Sequence, residues 1–186
     1  MSFATHPPGL RLPGMSRGFV KEDDAQTPPI VPPRAALPLG SPNYVTANGL
    51  AQLRHELAEL EAERTRAEAD HTNDTDRTHR LSLLHGRLAL LTERLTSARL
   101  VDPTTQPMQE VRFGASVVLR TLRGGKAGME RRFTIVGVDE ADVAAGKVSF
   151  VAPLARAVVG AQLGSEVTLH LGPNEEVVQV TAISYD

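Results

Sequence analysis

Leucines recur at steps of three and four along two stretches of this chain, Leu50, Leu53, Leu57 and Leu60 in the first and Leu81, Leu84, Leu88, Leu91 and Leu95 with Ala98 in the second. That spacing is an a/d seam, one apolar stripe on an otherwise polar helix. Between the stretches lies Asp70-His71-Thr72-Asn73-Asp74-Thr75-Asp76, polar throughout and made of residues that suit turns and caps. The pattern predicts an antiparallel coiled-coil hairpin that reverses near residue 74, with Leu50 facing Ala98, Leu53 facing Leu95, Leu57 facing Leu91 and Leu60 facing Leu88. Thr46 is placed to cap the first helix, Val45 to pack against Leu50, and Asp74 or Asp76 to cap the second helix, which runs to about Leu100 before Pro103 ends it. Arms of roughly 25 residues reach about 35 to 40 Å at 1.5 Å per residue. Arg64 and Ala67 take the next seam positions, so the outermost turns gain little from packing.

From Val111 onward the period shortens to that of strands. Val111–Leu122, Arg132–Val138, Lys147–Val151, Val167–Leu171 and Val177–Tyr185 are rich in β-branched and apolar residues, and glycines or prolines separate them. Gly124, Gly125 and Gly128 mark one turn, Asp139-Glu140 through Gly146 a loop, and Gly172-Pro173-Asn174 the last turn. Pro153 fits the first position of a short helix over Leu154–Val159. The expected fold class is α+β: a helical hairpin over 44–102, a linker over 103–110, and a small antiparallel sheet of about five strands with one helix over 111–186. Residues 1–43 hold most of the prolines and are expected to form an extended or disordered tail. A sheet domain of that size leaves no room for a large buried site.

Composition narrows the chemistry. With 20 Lys and Arg against 22 Asp and Glu, and aromatics at 4%, the chain has neither the basic face nor the stacking platform of a direct nucleic-acid binder. The absence of cysteine rules out disulfides, thiolate metal sites and thiol nucleophiles and fits a reducing compartment. No apolar run is long enough to span a membrane and no secretory signal opens the chain, so a cytoplasmic, monomeric protein is expected. Phosphate loops, nucleophile elbows and paired-carboxylate clefts are also missing, which argues against an independent enzyme. The chemistry that remains is the hairpin tip, Asp70, Asp74 and Asp76. As residues alone they suit a turn and a helix cap better than a ligand set, and the scattered histidines, His71 and His79 among them, make a poor metal site.

Six strings stand out: Tyr44-Val45-Thr46 with Gly49, Leu53 and Glu56-Leu57; Ala98-Arg99-Leu100-Val101-Asp102; Val111-Arg112 before Phe113-Gly114-Ala115; Phe133-Thr134-Ile135-Val136-Gly137 with Asp139-Glu140; Pro153-Leu154-Ala155-Arg156-Ala157 with Gly160; and Gly164 with Glu166-Val167. Together they resemble the Gre transcript-cleavage factors of bacterial RNA polymerase, and the GreB branch in particular. Gly18-Phe19-Val20-Lys21-Glu22 looks like the start of a GreB-type sequence. The resemblance implies an FKBP-like C-terminal domain that docks on RNA polymerase and a coiled coil that enters its secondary channel. It further implies that acidic tip residues help hold a second Mg²⁺ of the polymerase, with no cofactor of the factor's own and nucleic acid met only inside the complex. Asp70, Asp74 and Asp76 take the tip role by position, and Phe150, Val151, Ala152 and Pro153 the docking role.

The chain departs from the family pattern in three places. The string Gly-Asp-x-x-Glu-Asn-Ala typical of the tip does not occur, Val151-Ala152 replaces a polar pair, and the span from Thr46 to Ala98 is shorter by roughly two turns per arm, which withdraws the tip about 10 Å. These departures keep a second reading open, a non-cleaving channel occupant like the short-hairpin relatives known as nucleoside diphosphate kinase regulators. A prolyl isomerase, the third reading, finds no evident aromatic-lined pocket in the sequence.

Overall fold

The computed structural model describes residues 29–171 and 174–185. The GreB-type string at Gly18–Glu22 and the turn residues Gly172 and Pro173 lie outside the described residues, as does the tail up to Pro28.

Strand β1, Asn43–Val45, leads directly into helix α1, Ala47–Ala69. Thr46 caps α1, its hydroxyl oxygen accepting from the Gly49 amide at 2.9 Å. Helix α2, Asp74–Ser97, returns alongside. The seam is real but unequal: Leu53, Leu60, Ala67, Leu84, Leu88 and Leu91 are buried, whereas Leu50, Leu57, Leu81 and Leu95 are only partly covered. Ala67 is buried to 1% exposure, so packing persists closer to the tip than the fading leucines suggest. The chain turns over residues 70–73, ahead of residue 74.

α2 ends at Ser97, short of Leu100, because the next residues are recruited elsewhere. Ala98–Leu100 form β2 and pair in parallel with β1, Asn43 opposite Ala98 and Val45 opposite Leu100. The last carbonyls of α2 are satisfied on the way: Asn43 donates its amide to the Arg94 carbonyl at 2.8 Å, and the Ser97 hydroxyl reaches the Glu93 carbonyl at 3.0 Å. This two-stranded patch closes the hairpin at its base.

The second part is a five-stranded sheet built from β3 (Ser116–Arg123), β4 (Glu130–Val136), β5 (Lys147–Ser149), β6 (Glu166–Leu171) and β7 (Asn174–Ser184), ordered β5-β4-β3-β7-β6. Three of its pairings are antiparallel, but β5 runs parallel to β4, so the sheet is mixed where an antiparallel one is expected. The loop from Gly137 to Gly146 causes this by carrying the chain back beside Thr134, so that β5 runs along the second half of β4 in the same direction. The first strand also opens later than Val111, since Gly114 at φ +88° makes a turn and Val111 bonds instead to the Ala161 carbonyl. Helix α3, Pro153–Val158, starts on its proline and covers the sheet with Ala155 and Val158, both wholly buried. Val117, Leu119, Ile135, Leu169, Val178 and Val180 complete a core with no exposed surface.

Residues 29–42 contain no helix or strand, as their prolines dictate, yet they lie against the hairpin base. Val31 packs on Gly86 of α2 and Arg34 pairs with Glu56 of α1.

Candidate functional site at the hairpin tip and its base

The tip is a network of short-range polar contacts. Asn73, not Asp74 or Asp76, caps α2: its side-chain oxygen accepts from the Thr75 and Asp76 amides at 3.0 and 3.2 Å, and its amide donates to Asp76 Oδ2 at 2.7 Å. One asparagine thus satisfies two free amides and holds a carboxylate over the positive end of the helix. Asp70 accepts from both the amide and the hydroxyl of Thr72, at 3.1 and 2.6 Å. Those bonds, the hydroxyl first, hold its carboxyl below the usual range. Asp74 pairs with Arg77 at 2.9 Å, and Arg77 also meets His71 Nδ1 at 2.7 Å.

All three aspartates are exposed and sit together at the far end of the hairpin. Each commits one oxygen to the local network, which orders the tip. Among the described residues, no three His, Asp or Glu are placed to hold a metal by themselves. Carboxylate oxygens remain the hard donors that Mg²⁺ selects, so the set suits completing the shell of an ion anchored elsewhere.

Phe150, Val151, Ala152 and Pro153 lie at the other end, on the corner from the edge strand β5 into α3. Phe150 is half-buried, its amide bonded to the Val136 carbonyl at 2.9 Å. Its ring packs 5.8 Å from both Tyr44 and Phe113, which are themselves 5.5 Å apart. Val151 and Ala152 are half-exposed and Pro153 is exposed. The three rings line a cavity of about 570 Å³ with Arg112 and Arg156, an aromatic-walled hollow that residues so far apart in sequence do not announce.

Two adjacent carboxylates in the β4–β5 loop clamp the hairpin to the sheet. Glu140 is buried; it accepts from the Thr46 hydroxyl at 2.5 Å and pairs with Lys147 at 3.3 Å, so it grips the cap of α1. A Cβ on Gly49 would stand 2.6 Å from Glu140 Oε2, which explains a glycine in the first turn of a helix. Asp139 takes Arg34 at 2.9 Å and Arg94 of α2 at 3.2 Å. Gly137 lets the strands close: a Cβ there would stand 2.7 Å from the Tyr44 carbonyl oxygen. Thr46 with Gly49 and Gly137 with Asp139-Glu140 both belong to the quoted strings, but about ninety residues separate them and no pattern in the sequence joins them.

A long helical arm with an anionic end is thus fixed by its root to a small sheet. A family model described as transcription elongation factor GreA/GreB, C-terminal, matches residues 106–185. Transcription elongation factor GreB of Neisseria meningitidis serogroup A is 34% identical over 158 positions, covering 77% of this chain and 94% of that protein. Transcription elongation factor GreA of Acidiphilium cryptum is 32% identical over 154 positions, covering 76% of this chain and 96% of that one. The chain belongs to the GreA/GreB family of transcription elongation factors. A solved GreA/GreB structure from Nitrosomonas europaea is 20% identical with a TM-score of 0.38, over 76% of this chain and 98% of that one. The match to the Neisseria protein runs over 158 positions but takes in only 77% of 186 residues, about 143, so about 15 of its positions have no counterpart here. No helix among the described residues is long and apolar enough to cross a membrane.

Proposed function

We propose that this protein binds RNA polymerase through residues 110–186 and inserts its hairpin into the secondary channel, modulating elongation. The observation that carries the reading is the tip: three exposed aspartates within seven residues, held in place by Asn73, Thr72 and Arg77, at the end of an arm clamped at its root. Phe150 to Pro153 form part of the docking surface. At the polymerase active site the aspartates would add oxygen ligands to a second Mg²⁺ of the polymerase. Held there, the ion would supply Lewis-acid chemistry for hydrolysis of a phosphodiester bond in backtracked RNA. The factor supplies ligands and orientation; the polymerase supplies the metals and the rest of the site.

A second reading, a channel occupant that does not stimulate cleavage, draws support from the tip, where the string Gly-Asp-x-x-Glu-Asn-Ala does not occur. Loss of about two turns from each arm would withdraw that tip by about 10 Å. A cleavage assay on stalled elongation complexes separates the two. Stimulated cleavage that falls at least tenfold, about 1.4 kcal/mol of barrier, in Asp70→Ala, Asp74→Ala or Asp76→Ala supports metal assistance. Binding with inhibition and no cleavage supports the occupant, and absence of binding rejects both.

A further inference from the structure

We infer that residues 29–42 are a strap that fixes the angle between hairpin and sheet, with Arg34 as its positioning residue. Three separate contacts point to it. Arg34 meets both oxygens of Glu56 on α1, at 2.9 and 3.0 Å, and reaches Asp139 of the β4–β5 loop with its Nε at 3.0 Å. One guanidinium therefore joins an arm of the hairpin to the sheet, in the forked geometry that lysine cannot reproduce. Its side chain is 19% exposed and that of Asp139 11%, so the pair is shielded from the screening that makes most surface ion pairs worth little.

The second contact explains an anomaly of α2. Glycine inside a helix costs about 1 kcal/mol relative to alanine, yet Gly86 sits mid-helix with a normal backbone. A Cβ there would stand 2.3 Å from Val31 Cγ2, so the missing side chain is the groove in which the strap lies. In the third contact Arg94 of α2 donates to the Ala35 carbonyl at 2.6 Å while its Nε pairs with Asp139. The strap thus touches α1, α2 and the sheet, and crosses the joint between them.

Leverage gives the joint its importance. Over an arm of about 35 Å, a rotation of about 10° at the base moves the tip by about 6 Å, whereas Mg²⁺ holds oxygen at about 2.0 to 2.1 Å. Carboxylates presented to a metal in another protein need the base held to within a few degrees. The Neisseria GreB match leaves about a quarter of this chain without a counterpart. The strap would compensate in precision for a shortened arm; this consequence rests on the channel-insertion reading, while the strap itself does not.

The full chain has no cysteine, so spin labels at Thr72→Cys in the tip and Thr168→Cys on β6 report one distance without interference. The expected result is one narrow distance distribution, widened about twofold in Arg34→Ala by motion of the lever and less in Arg34→Lys. Gly86→Leu, which improves helix propensity while expelling Val31, widens it as well with helical content retained. Unchanged distributions in both Arg34→Ala and Gly86→Leu overturn the strap, whatever the polymerase result. Widening without any change in polymerase binding or elongation supports the strap and counts against the insertion reading.

Discussion

Leu91→Ala is expected to cost the hairpin about 3 kcal/mol, within the range of about 2 to 5 for emptying a leucine site, whereas Leu57→Ala on the same ladder costs about 1. The two leucines are equivalent as seam positions in the sequence. In the fold they are not, since Leu91 has no exposed surface among Leu53, Leu60, Leu84 and Leu88 while Leu57 stays partly open to solvent. Alanine at Leu91 leaves a cavity in a core only two helices thick, which has few neighbours to collapse into it. At Leu57 water already covers part of the side chain, so less burial is lost. Urea unfolding followed by helical circular dichroism reads the difference directly. Equal losses at the two sites would mean that the helices face each other in another register.

Asp139→Ala is expected to remove about 2 kcal/mol and to lower the melting temperature by about 4 to 8 °C, at 2 to 4 °C per kcal/mol for a chain of this size. The carboxylate faces two guanidiniums, Arg34 and Arg94, whose side chains are 19% and 12% exposed. Breaking a buried pair from one side costs about 3 to 5 kcal/mol because the surviving charge is stranded. Two features reduce that here. Arg34 keeps its forked contact with Glu56, and Arg94 lies 3.2 Å from Asp139 Oδ2 without the alignment of a hydrogen bond, so that contact is Coulombic. Differential scanning calorimetry checks the shift, and an unchanged melting temperature would show that the clamp contributes nothing to the joint.

What the sequence displays is whatever repeats. Leucines at a helical period gave away both arms, and alternating β-branched runs located all five strands of the sheet to within a few residues at most ends. Contacts among single residues from distant segments leave no such trace. β1 and β2 have three residues each and pair across an interval that holds both helices, so neither carries a periodic signal. The clamp draws Arg34, Glu56, Arg94 and Asp139 from four separate elements, and the aromatic cluster draws Tyr44, Phe113 and Phe150 from three. At the tip the composition located the reversal within a turn of its place but not the cap. Asp74, Asp76 and Asn73 all suit that role, and Asn73 takes it because its amide accepts from two backbone groups and donates to Asp76 as well. Over residues 29–42 the prolines leave no helix or strand, without forbidding the packing that Val31 and Arg34 achieve.

The central claim is that the acidic tip travels into the polymerase while the sheet domain remains at the entrance. Photo-crosslinking measures it most directly: a photoreactive residue in place of Thr72, between Asp70 and Asn73, is activated in complexes of the full chain with RNA polymerase. Crosslinks from that position to the channel interior near the catalytic Mg²⁺, with crosslinks from Pro153 confined to the rim, are the predicted result. Crosslinks from Thr72 to the outer surface of the polymerase, or none in a complex that forms, would contradict it.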